Sequence, residues 1–174
     1  SADVAGLTTA LIRGAFEYQG QKCSAASRAY IPRSMWKRMK GDIAAEVETI
    51  RVGDVADFRN FMGAVINESA FKRHRSAIAE ARRSTQAEVV VGGDTDGKDG
   101  WFVRPTIIEA KNPNYRTMRD ELFGPILTVY AYPDNEFERT LEICDGTSPY
   151  GLTGAIFATD PAAVKTAADR LVNA

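Results

Sequence analysis

The sequence predicts an α/β fold, a three-layer domain whose mostly parallel sheet is flanked by helices. Two observations carry that prediction. Segments with apolar residues at helical spacing alternate with short runs rich in Val, Ile, Phe and Tyr, as expected of strands joined by crossover helices. At 174 residues the chain is also long enough, since a folded chain of this size buries about 70% of the surface its unfolded form exposes. No repeat, linker or low-complexity tract divides it, so residues 1–174 are read as one domain.

Ser1 and Asp3 are candidate caps for a first helix, whose apolar positions Val4, Leu7, Leu11 and Ala15 share one face. It runs out at 18–20, where the chain enters Gly20-Gln21-Lys22-Cys23-Ser24. Residues 28–31 read as a short strand ended by Pro32. Ser34 caps a second helix to about residue 48, and a loop follows over 53–60. Asn67 begins a third helix to about residue 83, with Lys72, Arg73, Arg75, Arg82 and Arg83 on a solvated outer side.

Residues 88–91 read as a strand closed by Gly92-Gly93, and 94–100 as a turn-rich loop. A strand over 102–108 is interrupted by Pro105, which lacks the N–H a ladder needs and so belongs near an edge or a bend. Residues 126–132 are a strongly apolar strand, 135–144 a helix and 152–158 a strand. Residues 161–172 form a last helix with Pro161 in its first turn.

Composition removes several function classes. A formal charge of −1 creates no field for a polyanion, so nucleic acid is not an expected partner. The longest apolar run is too short to span a bilayer. The first residues lack the basic start and apolar run of a signal peptide. Two cysteines, Cys23 and Cys144, make no disulfide framework and point to a reducing compartment. With His74 as the lone histidine there is no zinc-ligand spacing, so no metal is expected. His74 lies in the basic helix and is expected at the surface. Cys144, beside Leu141 and Ile143, is expected to be a buried structural thiol. Neither a P-loop nor a Gly-x-Gly-x-x-Gly is present.

The sharpest local signal is Phe16-Glu17-Tyr18-Gln19-Gly20-Gln21-Lys22-Cys23-Ser24. A helix ends, glycine frees the backbone, and a cysteine follows in a polar turn. A free thiol titrates near pH ~8.5, and a neighbouring cation or helix terminus can lower that value. Lys22 is such a cation in sequence. Spacing alone still leaves open an inert cysteine.

That stretch resembles the catalytic-cysteine motif of the aldehyde dehydrogenase superfamily, Phe-x-x-x-Gly-Gln-x-Cys. Two later stretches, Asp120-Glu121-Leu122-Phe123-Gly124-Pro125 and Tyr150-Gly151-Leu152-Thr153-Gly154-Ala155, resemble further motifs of the same family in the same order. The resemblance implies that Cys23 is the nucleophile, attacking an aldehyde carbon while its own N–H and an Asn side chain hold the oxyanion. It implies that hydride passes to NAD, with NADP left open, and that a Glu activates the water that releases the acid. Glu121 and Phe123 match the family positions against the nicotinamide riboside. Lys22 and Ser24 match substrate-side positions of the branch that oxidises L-glutamate γ-semialdehyde in proline catabolism. A cation and a hydroxyl beside the nucleophile suit a carboxylate-bearing substrate. The stretches Trp101-Phe102-Val103-Arg104-Pro105-Thr106 and Ser148-Pro149-Tyr150-Gly151 are similar to the same branch.

No counterpart of the family's general-base Glu, its oxyanion Asn or its dinucleotide-binding domain is found in these residues. The chain is therefore expected to be a catalytic-domain part of a longer enzyme, inactive by itself, with partner surface left exposed. The resemblance further implies a small-molecule aldehyde substrate, a homo-oligomeric complete enzyme, and a bacterial cytoplasmic or eukaryotic mitochondrial location. Another aldehyde such as succinate semialdehyde, a noncatalytic folding or interaction unit, and a thiol hydrolase are the competing readings.

Overall fold

The computed structural model describes residues 2–172. Its first helix, α1 (Val4–Phe16), starts where Asp3 accepts the Gly6 N–H at 3.0 Å, satisfying one of the donors that a helix start leaves unpaired. Ser1, the other candidate cap, lies outside the described residues. After a turn at Glu17–Gly20 that passes through left-handed φ come β1 (Arg28–Pro32), α2 (Arg33–Glu48) and α3 (Glu68–Arg83). Then follow β2 (Ala87–Val91), β3 (Thr95–Asp96), β4 (Phe102–Val103), β5 (Thr106–Ala110) and a short α4 (Arg116–Arg119). The last elements are β6 (Ile126–Tyr132), α5 (Phe137–Gly146) and α6 (Pro161–Arg170).

Four strands form the main sheet in the order β1-β6-β5-β2. β6 is paired in parallel with both β1 and β5, and β2 closes one edge antiparallel to β5. The central pair is apolar on both faces, as a sheet covered on both sides requires. Ile107, Leu127 and Val129 pack into one cluster with α1 and α2, whose contributions include Leu11, Phe16, Trp36, Met39 and Ile43. Their strand neighbours Ile108 and Ile126 pack into a second cluster with Ala70, Phe71, Ala77 and Ile78 of α3. The period-2 alternation of the strands thus builds the three expected layers.

Pro105 does what its missing N–H dictates. The strand expected over 102–108 splits there, its first half turning away to pair with β3. The strand expected at 152–158 is not formed. That segment runs without a ladder partner among the described residues, and it leaves Tyr150, Leu152, Ile156 and Phe157 exposed. Apolar alternation creates a strand only where a neighbouring strand takes up its N–H and C=O groups. Before it, Ser148 Oγ donates to the Arg119 carbonyl at 2.9 Å and accepts the Tyr150 N–H at 3.2 Å. Among the described residues no helix is long and apolar enough to cross a membrane.

Candidate active site

Cys23 sits at the end of an unusual backbone excursion. Tyr18, Gln19 and Gly20 follow α1 with φ of 53°, 58° and 64°. Only glycine adopts that region freely, so the two non-glycine residues need outside support. Gln19 supplies it through both ends of its amide. Its Oε1 accepts the Gly63 N–H at 3.1 Å and its Nε2 donates to the Ala64 carbonyl at 3.2 Å. Gln21 adds a third tie, accepting the Ile66 N–H at 3.0 Å. Cys23 and Ser24 are then the central residues of a β-turn closed by Ala25 N–H to Lys22 C=O at 3.0 Å. In such a turn the central N–H of Cys23 is not spent on the turn itself. Both side chains are exposed, so the thiol is accessible to a substrate.

The second candidate segment lies against the first. A Cβ placed on Gly20 would collide with the Gly124 carbonyl oxygen and stand 2.6 Å from the Ala15 carbonyl oxygen. Glycine is thus required at position 20 twice over, for its φ and for this approach. The contact brings the Cys23 loop beside the turn that carries Glu121 and Phe123. Downstream, Arg28 Nη1 donates to the Met118 carbonyl at 3.2 Å and ties the same two segments again. Glu121 is exposed, and no hydrogen bond or ion pair engages its carboxylate among the described residues. Phe123 is half-buried at φ 56°. A free carboxylate that accepts from ribose hydroxyls and a partly exposed aromatic ring that can pack on a nicotinamide fit the implied NAD.

Lys22 is less free than its sequence position implies. Its Nζ lies 3.1 Å from Glu17 Oε2, and Arg13 pairs with the same carboxylate at 2.6 Å. The two cations, Lys22 first, hold the Glu17 carboxyl below the usual carboxylate range. Exposed pairs of this kind are weak and exchangeable. Cys144 is half-buried rather than fully so, and burial pushes its thiol above the ordinary value.

His74 corrects the expectation most sharply. It is not a surface histidine but fully buried at 0% exposure. Its Nε2 lies 2.9 Å from the Leu122 carbonyl, and its ring occupies the space that a Cβ on Gly124 would need. The helical position of His74 on the apolar stripe of Phe71, Ala77, Ile78 and Ala81 was the available signal. The basic neighbours obscured it. Gln19 and Gln21 were also unforeseen, because their partners lie over 40 residues away. Among the described residues no group of three or more metal-ligating side chains is gathered.

Comparison with known proteins adds identity to this geometry. A family model described as the aldehyde dehydrogenase family matches residues 1–173. The mitochondrial Δ1-pyrroline-5-carboxylate dehydrogenase of Dictyostelium discoideum is 51% identical over 174 residues, covering all of this chain and 31% of that protein. The Homo sapiens protein of the same name is 45% identical over 175 residues, again with 31% of its length covered. The crystal structure of the Mycobacterium tuberculosis Δ-pyrroline-5-carboxylate dehydrogenase bound with NAD superimposes with a TM-score of 0.91. It is 46% identical and covers 99% of this chain and 31% of that one. The chain thus spans under a third of the length of these relatives.

Proposed function

The chain belongs to the aldehyde dehydrogenase family, and on that premise we propose that it forms the cysteine-bearing part of an NAD-dependent enzyme oxidising L-glutamate γ-semialdehyde to L-glutamate. The substrate is the open form of Δ1-pyrroline-5-carboxylate, the compound in the names of its relatives. The observation that supports the reading is the close approach of Gly20 to the Gly124 carbonyl, which joins the loop carrying the exposed Cys23 to the turn carrying the exposed Glu121 and the half-buried Phe123.

In this reading the Cys23 thiolate attacks the aldehyde carbon, forming a C–S bond and an oxyanion. The Cys23 N–H donates to that oxyanion, a contribution typically worth about 10²–10³ in rate. NAD, held by Glu121 and Phe123, would supply the acceptor for the hydride that leaves the former aldehyde carbon. Glu121 would accept hydrogen bonds from the ribose hydroxyls, and Phe123 would lie on the nicotinamide side of the same turn. What remains on Cys23 is a thioester. Water, activated by a carboxylate that the family places outside these 174 residues, releases L-glutamate and returns the thiolate. Lys22 and Ser24 flank the thiol and meet the carboxylate of the substrate. Lys22 does so by exchanging its half-buried Glu17 partner for it.

The test is a substrate split in the assembled, active enzyme. Lys22→Met together with Ser24→Ala is expected to raise KM for glutamate semialdehyde about ten-fold, the worth of roughly one charge-assisted hydrogen bond. Propanal, which has no carboxylate, should be unaffected. An equal loss on both aldehydes would count against the assignment of substrate.

A further inference from the structure

We propose that His74 is a positioning residue for the cofactor-facing turn: seated beneath Gly124, its imidazole holds the Leu122 carbonyl from inside the fold and so fixes the backbone that carries Glu121 and Phe123. The inference rests on the reading of Glu121 and Phe123 as cofactor contacts.

Three observations point to it. Within the turn Leu122 is buried, Glu121 exposed and Phe123 half-buried. Phe123 has φ 56°, a conformation that a residue with a side chain keeps only when its surroundings hold it. The Leu122 carbonyl receives donors at 2.9 Å from His74 and at 3.1 Å from Arg73 Nε. Because a carbonyl only accepts, the proton of His74 is on Nε2. Nδ1 is then buried with no partner among the described residues, a cost that a purely space-filling side chain would avoid. Burial keeps the ring neutral, against the hydrogen bond and with the nearby Arg73 charge. A neutral donor can stay in this interior without bringing in a charge.

The experiment compares His74→Leu, His74→Gln and Glu121→Ala in the complete, active enzyme, after thermal melting has confirmed that each is folded. Gln reaches with its amide nitrogen about as far as Nε2, whereas Leu donates nothing. His74→Leu is expected to raise KM for NAD about ten-fold, with kcat and the alkylation rate of Cys23 within two-fold of the parent. His74→Gln should recover most of the loss. A His74→Leu enzyme with unchanged KM for NAD, or one in which kcat and Cys23 reactivity fall together, overturns the positioning role. Glu121→Ala is the separate control on the cofactor reading. If it leaves KM for NAD unchanged, that reading fails and the proposal falls with it. If only the His74 variants are silent, the proposal alone fails.

Discussion

Cys23 and Cys144 carry the same functional group in opposite settings. Cys23 is exposed in a turn, whereas Cys144 is half-buried on α5 with its thiol pushed up by desolvation. Alkylation requires both access and thiolate. Limited iodoacetamide treatment followed by peptide mass spectrometry should therefore modify Cys23 well before Cys144. Equal labelling of the two in the native state would contradict the site described above. His74 gives a second prediction at this scale. Its folded pKa lies below the ordinary 6.5 because burial opposes the charged ring. As pH falls below about 6.5 the unfolded chain takes up a proton that the folded chain refuses, so folded stability drops in that window. Melting temperature should thus decline between pH 6.5 and 5, above the range where the carboxylates protonate. The decline should be shallower in His74→Gln. Parallel pH profiles for the two would show that another group is responsible.

Among the elements, the excursion Tyr18–Gln19–Gly20 decides whether the site exists. Gly20→Ala adds a methyl group where the Gly124 carbonyl already stands, at a φ of 64°. The expected loss is at least about 2 kcal/mol, combining the left-handed penalty with overpacking. Chemical denaturation measures it, and a loss under ~0.5 kcal/mol would mean that the two segments do not press together. Asn67→Ala is the milder control. It removes the carbonyl oxygen that accepts Ala70 N–H at 2.9 Å and should cost about 1 kcal/mol without touching the site.

The elements also show where local sequence runs out. α1, α3, β1 and β6 were legible because spacing, caps and prolines act over a few residues. The motif resemblance also singled out Cys23, Glu121 and Phe123, the residues on which the proposed function rests. The braces from Gln19 to Gly63 and Ala64, and from His74 to Leu122, were not legible, since each joins residues over 40 positions apart. The segment 152–158 reads as a strand but needs a pairing partner, which no local pattern can specify.

At the scale of the whole molecule, the 152–158 segment has no ladder partner among the described residues and exposes Leu152, Ile156 and Phe157. These 174 residues by themselves are expected to self-associate in a concentration-dependent way by analytical ultracentrifugation. Leu152→Ser with Phe157→Ser should weaken that association. A monodisperse monomer at high concentration would contradict the expectation.

The central claim is that Cys23 carries the acyl intermediate of glutamate semialdehyde oxidation. The most direct measurement is acid quench of the assembled enzyme during turnover with L-glutamate γ-semialdehyde and NAD, followed by peptide mass spectrometry. The account predicts a γ-glutamyl thioester on the peptide containing Cys23, and its loss along with activity in Cys23→Ala. An acyl group on Cys144, or turnover that survives Cys23→Ala, would contradict it.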